Sequence, residues 1–281
     1  MPNISRSLLL AVAGLILISP VGAALADTTF SIYTGSSYTL NSDIQVSQPS
    51  IGTNATFHDV SWDTKPFKAP PYYGIRLNHF FERWPNWGVG LDFTHDKVYA
   101  QTDQVVQVSG TINGVPVNQS VPMNTYVQKF QITHGVNIIA FDVLYRWTGN
   151  FASNTFPNGR LQPYFGGGPT YYILHPENTI NNMDNHEIYK ESGFGYTVMG
   201  GVQYWLARHV GLFAETKFNS GRAKVNTAEN GTATTDLNTF QLIGGVSVGF
   251  WPVLAVVTRS NCLRKIDAYC QGGAQYGPRR G

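Results

Sequence analysis

Charge is scarce in this chain. Asp, Glu, Lys and Arg supply 13% of its 281 residues, where soluble domains average about 25%. The net charge of +2 is too near neutral to argue for nucleic acid as a partner. Past the first residues there is no apolar run long enough for a spanning helix, which excludes a protein that crosses a membrane by helices. No Rossmann, P-loop, CxxC or HExxH pattern occurs, so none of the common nucleotide, redox or zinc-hydrolase sites is encoded locally.

Glycine (29), tyrosine (15) and phenylalanine (16) are abundant instead. Residues 1–26 read as a secretory signal peptide: Arg6 gives the positive start, Leu8 to Ile18 the apolar core, and Ala24-Leu25-Ala26 the cleavage site. The most informative stretch is Trp87 to Ala100, WGVGLDFTHDKVYA. Trp87, Val89, Leu91 and Phe93 fall on one side of an extended backbone, and Gly88, Gly90, Asp92 and Thr94 on the other. At its far end the apolar parity gives way to His95, Lys97 and Tyr99, residue types suited to a membrane interface.

The same alternation yields eight strands: Thr28 to Leu40, Pro71 to Phe81, Trp87 to Ala100, His134 to Trp147, Leu161 to Leu174, Gly193 to Leu206, Val210 to Asn219 and Asn238 to Phe250. Their lengths suit tilted membrane strands of roughly 9–11 residues. Short connections alternate with long polar ones (Asn41 to Lys68, Gln101 to Thr133, His175 to Ser192, Ser220 to Leu237). That pattern predicts an all-β fold, an eight-stranded antiparallel transmembrane β-barrel of outer-membrane type over 27–250. Both termini are then periplasmic. A soluble lipocalin-like barrel is disfavoured, because the would-be interior collects Gly, Thr, Gln and charged residues. The tail, 251–281, carries five basic residues against one acid (Asp267), and Cys262 and Cys270 within it are close enough in sequence to bridge.

So narrow a barrel is filled by side chains rather than open as a pore. The inward parity holds Arg76, Asp92, Asp142, Arg146, Glu215 and Lys217, which predicts an ion-pair network neutralising buried charge. The histidines point to the outer rim. His95 ends the third strand, His134 opens the fourth, and His175 ends the fifth, two residues before Glu177. On neighbouring strands these converge. Three imidazoles with a carboxylate can hold a divalent metal with positions open to oxygen or substrate; the plainer reading is an interfacial polar belt. Ser220 with a rim histidine is a hydrolase alternative that no surrounding motif supports.

Several segments resemble the lipid A oxidase family, within the broad OmpA-like barrel group: FSIYTGSS with NSDI (Phe30 to Ile44), PPYYGIR (Pro70 to Arg76), WGVGLDFTHDKVYA (Trp87 to Ala100), THGVNIIAFDVLYRW (Thr133 to Trp147), LQPYFGGG (Leu161 to Gly168), HPE (His175 to Glu177) and FAETK (Phe213 to Lys217). The run DFTH-x-KVYA is the most specific of them. The resemblance fades in the second long loop and stops at Phe250. It implies oxygen-dependent oxidation of the proximal glucosamine of lipid A to aminogluconate, with molecular oxygen as co-substrate, a divalent metal and outer-membrane lipid A as partner.

Lipid A lies in the outer leaflet, at the depth of the rim. The expectations are therefore His95, Lys97 and Glu177 in catalysis, Lys97 and Tyr99 in substrate binding, and His95, His134, His175 and Glu177 on the metal. The alternative is a non-enzymatic barrel with a structural or surface-adhesion role.

Overall fold

The structure, a computed structural model, describes residues 27–69, 71–186 and 189–250; the side chains of His134 and His186 are outside the description. The signal expected at 1–26 and the tail expected at 251–281, with Cys262 and Cys270, also lie outside the described residues. Fourteen strands follow in order: β1 (Thr28–Thr39), β2 (Ser42–Gln48), β3 (Thr53–Val60), β4 (Trp62–Asp63), β5 (Tyr73–Phe80), β6 (Trp87–Ala100), β7 (Val105–Ile112), β8 (Val115–Pro122), β9 (Val127–Arg146), β10 (Leu161–Ile180), β11 (Met183–His186), β12 (Lys190–Ala207), β13 (Val210–Thr227) and β14 (Gly231–Phe250). Eight of them close an antiparallel ring, β1–β5–β6–β9–β10–β12–β13–β14, with β14 returning onto β1 from Thr28↔Phe250 to Thr39↔Thr239. This is the expected outer-membrane-type barrel.

The alternation that forms these strands also sorts their faces. On β13, Leu212 is 44% exposed whereas Glu215 and Lys217 are each 2% exposed. Ile32, Ile75, Phe141, Val198 and Leu242 are likewise exposed around the ring. An apolar exterior over a charged interior suits a wall facing lipid. Inside, Arg76 bonds Asp92 at 2.7 Å and Glu215 at 2.6 Å, and the Lys217 ammonium reaches Asp92 at 2.6 Å. The Tyr33 and Tyr164 hydroxyls donate to Asp92 and Glu215 at 2.5 and 2.7 Å.

Two members expected in that network share no hydrogen bond with it. Arg146 pairs instead with Asp27 at the short-turn end, where its guanidinium lies 3.8 Å from the centre of the Phe80 ring. The Asp142 carboxylate is buried and accepts no hydrogen bond among the described residues. A cavity lined by Arg76, Arg146, Gln162 and Tyr164 holds about 30 Å³, room for about one water.

The expectation of irregular long loops is corrected. β9, β10 and β14 each run 20 residues, about twice what a tilted membrane strand needs. The segment 41–68 contains β2, β3 and β4, and 101–133 contains β7, β8 and the start of β9. The sheet continues from β14 through β2 and β3 to β7 and β8. Along β13 the two faces exchange chemistry without a slip in register. Outward, Leu212 to Phe218 give way to Arg222 and Lys224; inward, Glu215 and Lys217 give way to the buried Ala223 and Val225. The extension encloses an apolar core that includes Ile44, Phe57, Val108, Phe130, Ile132, Leu174 and Val225. These β-branched and aromatic residues are spaced for a strand facing water on its other side. Polar composition concealed them as loop.

Candidate functional site

The edge of the lipid-facing wall is ringed by Tyr38, Tyr73, Phe194, Tyr196 and Phe240, all exposed. Immediately beyond it the ladder breaks in one place on both sides of β9. On β6, Asp96 pairs with Val136 and Val98 with Ile132; on β10, Leu174 pairs with Val136 and Pro176 with Ile132. Strand β9 thus carries residues 133–135 against a single residue of each neighbour, Lys97 on one side and His175 on the other. Gly135 permits this bulge, since its φ of +132° is one that side chains rarely adopt. His134 sits in the bulge, so the backbone brings Lys97, His134 and His175 to one place, whereas strand order had put His95 with the two other histidines.

His95 lies one row nearer the lipid wall, paired with Tyr73 and Asn137. Its Nδ1 is 2.9 Å from the Asn137 side-chain oxygen, and Tyr73 stacks on its ring at 5.0 Å. An amide oxygen only accepts, so Nδ1 is the donor in this contact. His175 packs against Tyr189, ring centres 5.0 Å apart.

Glu177 pairs across the sheet with Gln131, which also faces Tyr99. Its carboxylate accepts from Lys129 at 2.6 Å, Gln131 at 2.8 Å and Thr133 at 3.4 Å. Tyr99 is half-buried, and burial followed by the charges of Asp63 and Glu177 pushes its phenol up from the usual range. His95, His175 and Glu177 form no metal-holding group among the described residues. The fourth expected ligand, His134, contributes a side chain outside the description.

Lys97 is 2% exposed because the segment Thr64 to Tyr72 crosses over it. Its ammonium donates to the Lys68 carbonyl at 2.6 Å, and burial, then Lys68, lowers its affinity for the proton. This strap is fixed at both ends. The Thr64 hydroxyl donates to the Ser37 carbonyl at 2.7 Å, and the buried Tyr72 accepts at its carbonyl from Thr34 at 2.9 Å. The Tyr72 amide closes the strap on the Pro66 carbonyl at 2.7 Å. Ser220, the hydrolase alternative, donates to Asn238 at 2.7 Å, an amide with no basicity to activate it.

Asn137, Gly135 and the strap were missed from sequence. A lone glycine inside an apolar strand signals a bulge, and Pro66, Pro70 and Pro71 signal a fixed loop rather than a free one.

The sequence profile of the outer membrane protein beta-barrel domain family matches residues 23–250. No curated protein matches the chain. Among solved structures it is similar to OprG of Pseudomonas aeruginosa (13% identity, 82% of this chain and 99% of that one, TM-score 0.42). Neisserial surface protein A is also similar (13%, 80% and 97%, 0.36). So is Ail, the attachment invasion locus protein of Yersinia pestis (9%, 79% and 98%, 0.30).

Proposed function

The chain belongs to the outer membrane protein β-barrel domain family, and from that premise we propose an outer-membrane enzyme that oxidises lipid A. The short turns and both termini face the periplasm in this reading, and the long-strand end faces outward. The rim then stands at the headgroup depth of the outer leaflet.

The observation that carries the proposal is the break of both ladders at residues 133–135, which gathers Lys97, His134 and His175 where the aromatic wall ends. Bulges re-aim side chains and concentrate beside active sites, and a barrel wall needs no bulge there to span lipid. The resemblance of DFTH-x-KVYA to the lipid A oxidases supplies the reaction. The anomeric carbon of an unsubstituted proximal glucosamine would lose its C–H hydrogen and the hydroxyl proton, with two electrons, to dioxygen, which leaves as hydrogen peroxide. Water then opens the resulting lactone to the aminogluconate, a net gain of one oxygen atom. A divalent metal enters this proposal only through the resemblance, since the described side chains of His95, His175 and Glu177 do not gather into a ligand set. Lys97 and Tyr99 would bind the headgroup in this proposal, Lys97 only once the strap that covers it moves aside.

The test is lipid A from cells producing the wild type, His134→Ala or His175→Ala, with the barrel shown folded in each. Oxidised lipid A in the wild type alone supports the proposal; oxidation that survives both substitutions overturns it. The packed apolar core of the extension favours a second reading, a rigid structural or adhesive barrel. Unmodified lipid A in every strain would select that reading.

A further inference from the structure

We propose that the strap residues Lys65 to Lys68 dock the phosphate-bearing headgroup of an acylated glycolipid in the surrounding leaflet. Phe67 enters the acyl region, and Lys65 and Lys68 hold the anion. The inference rests on the outward orientation given above and is independent of the oxidation chemistry.

The strap presents Lys65-Pro66-Phe67-Lys68 at the edge of the aromatic wall. Phe67 is 81% exposed, the highest value of any large apolar residue described, on a segment fixed at both ends. An exposed aromatic flanked by cations is the composition of an interfacial anchor. The local charge is unbalanced in the same sense. Asp63 is matched by Lys65 at 3.4 Å and Glu177 by Lys129 at 2.6 Å. Lys68 has no carboxylate within ion-pair distance among the described residues and lies over the Tyr99 ring at 5.6 Å, while Lys97 lies beneath the strap with Asp96 beside it.

The backbone holds these groups in place. Lys65 adopts a φ of +41°, and its carbonyl accepts from the Lys68 amide at 3.1 Å, a tight turn that brings both lysines over Tyr99. With Lys97 covered by the strap, the exposed cations facing an incoming lipid are Lys65 and Lys68.

The full chain in neutral detergent micelles is titrated with phosphorylated lipid A and with its dephosphorylated form, and bound lipid is read by native mass spectrometry. Lys65→Gln combined with Lys68→Gln should weaken binding of the phosphorylated lipid roughly tenfold or more. Phe67→Ser should weaken both lipids. The dephosphorylated form should bind the wild type no better than the phosphorylated form binds the double variant. Millimolar inorganic phosphate should displace little, since it lacks the acyl anchor. Equal affinity across lipids and variants, with each variant shown folded by its heat-shifted gel mobility, would overturn the proposal. If these affinities hold while lipid A in cells stays unoxidised, the docking role stands and the oxidase reading falls. If oxidation persists while affinities are equal, only the docking role falls.

Discussion

Asn137 holds the His95 ring: its amide oxygen stands 2.9 Å from Nδ1 and accepts from it. The glycine two residues earlier leaves room for it. A Cβ on Gly135 would fall 2.5 Å from the Asn137 side chain, at a φ of +132°. Gly135→Ala is therefore expected to cost about 1–3 kcal/mol of local strain and to displace the amide. The check is the nitrogen spectrum of the His95 ring, where the Nδ1 signal should shift as its contact with Asn137 is lost; an unchanged spectrum would contradict the coupling.

Asp92 receives both Arg76 and Lys217 in the barrel interior. Asp92→Ala leaves Lys217 without its carboxylate and should destabilise the barrel by about 3–5 kcal/mol. Adding Lys217→Met removes the stranded charge and should recover a large part of that loss. The temperature at which the folded band disappears on gels reads both effects.

Lys97 ties the strap to the wall through the Lys68 carbonyl. Its proton affinity in the folded protein is lowered from the ordinary 10.5, first by burial and then by Lys68. With the strap closed Lys97 binds fewer protons than with it open. Closure therefore strengthens as pH rises from the lowered value towards 10.5. Exchange of the Tyr72 amide, corrected for its intrinsic rate, should slow across that window. Lys97→Met should abolish the pH dependence.

The apolar core of the extension should melt separately from the membrane wall. Phe57 is 1% exposed within it, and Phe57→Ala should cost about 3–5 kcal/mol. Protease should then cut between β2 and β8 while the remainder keeps its folded gel mobility. Loss of the whole barrel would show that wall and extension form one cooperative unit.

Residue alternation made the wall legible. β6 spans the same residues in sequence and structure because Trp87, Val89, Leu91 and Phe93 alternate with small or charged neighbours. The extension was not legible, because the face that is apolar changes along a single strand. On β13, Phe218 faces outward, while Val225, of the other parity, is buried inward. A period-two reading that assumes one solvent stops where the solvent changes. Strand order also brought His134 and His175 together, but not the two-residue bulge that joins them, nor the strap over Lys97. Both depend on contacts distant in sequence, Asn137 with His95 and Ser37 with Thr64.

The most direct measurement is the mass of lipid A from cells with and without this protein, grown with oxygen and without it. The prediction is a gain of one oxygen atom in the proximal glucosamine, seen only when both protein and oxygen are present and suppressed by a chelator. Lipid A of unchanged mass, from cells in which the barrel is folded in the outer membrane and the precursor is present, would contradict it.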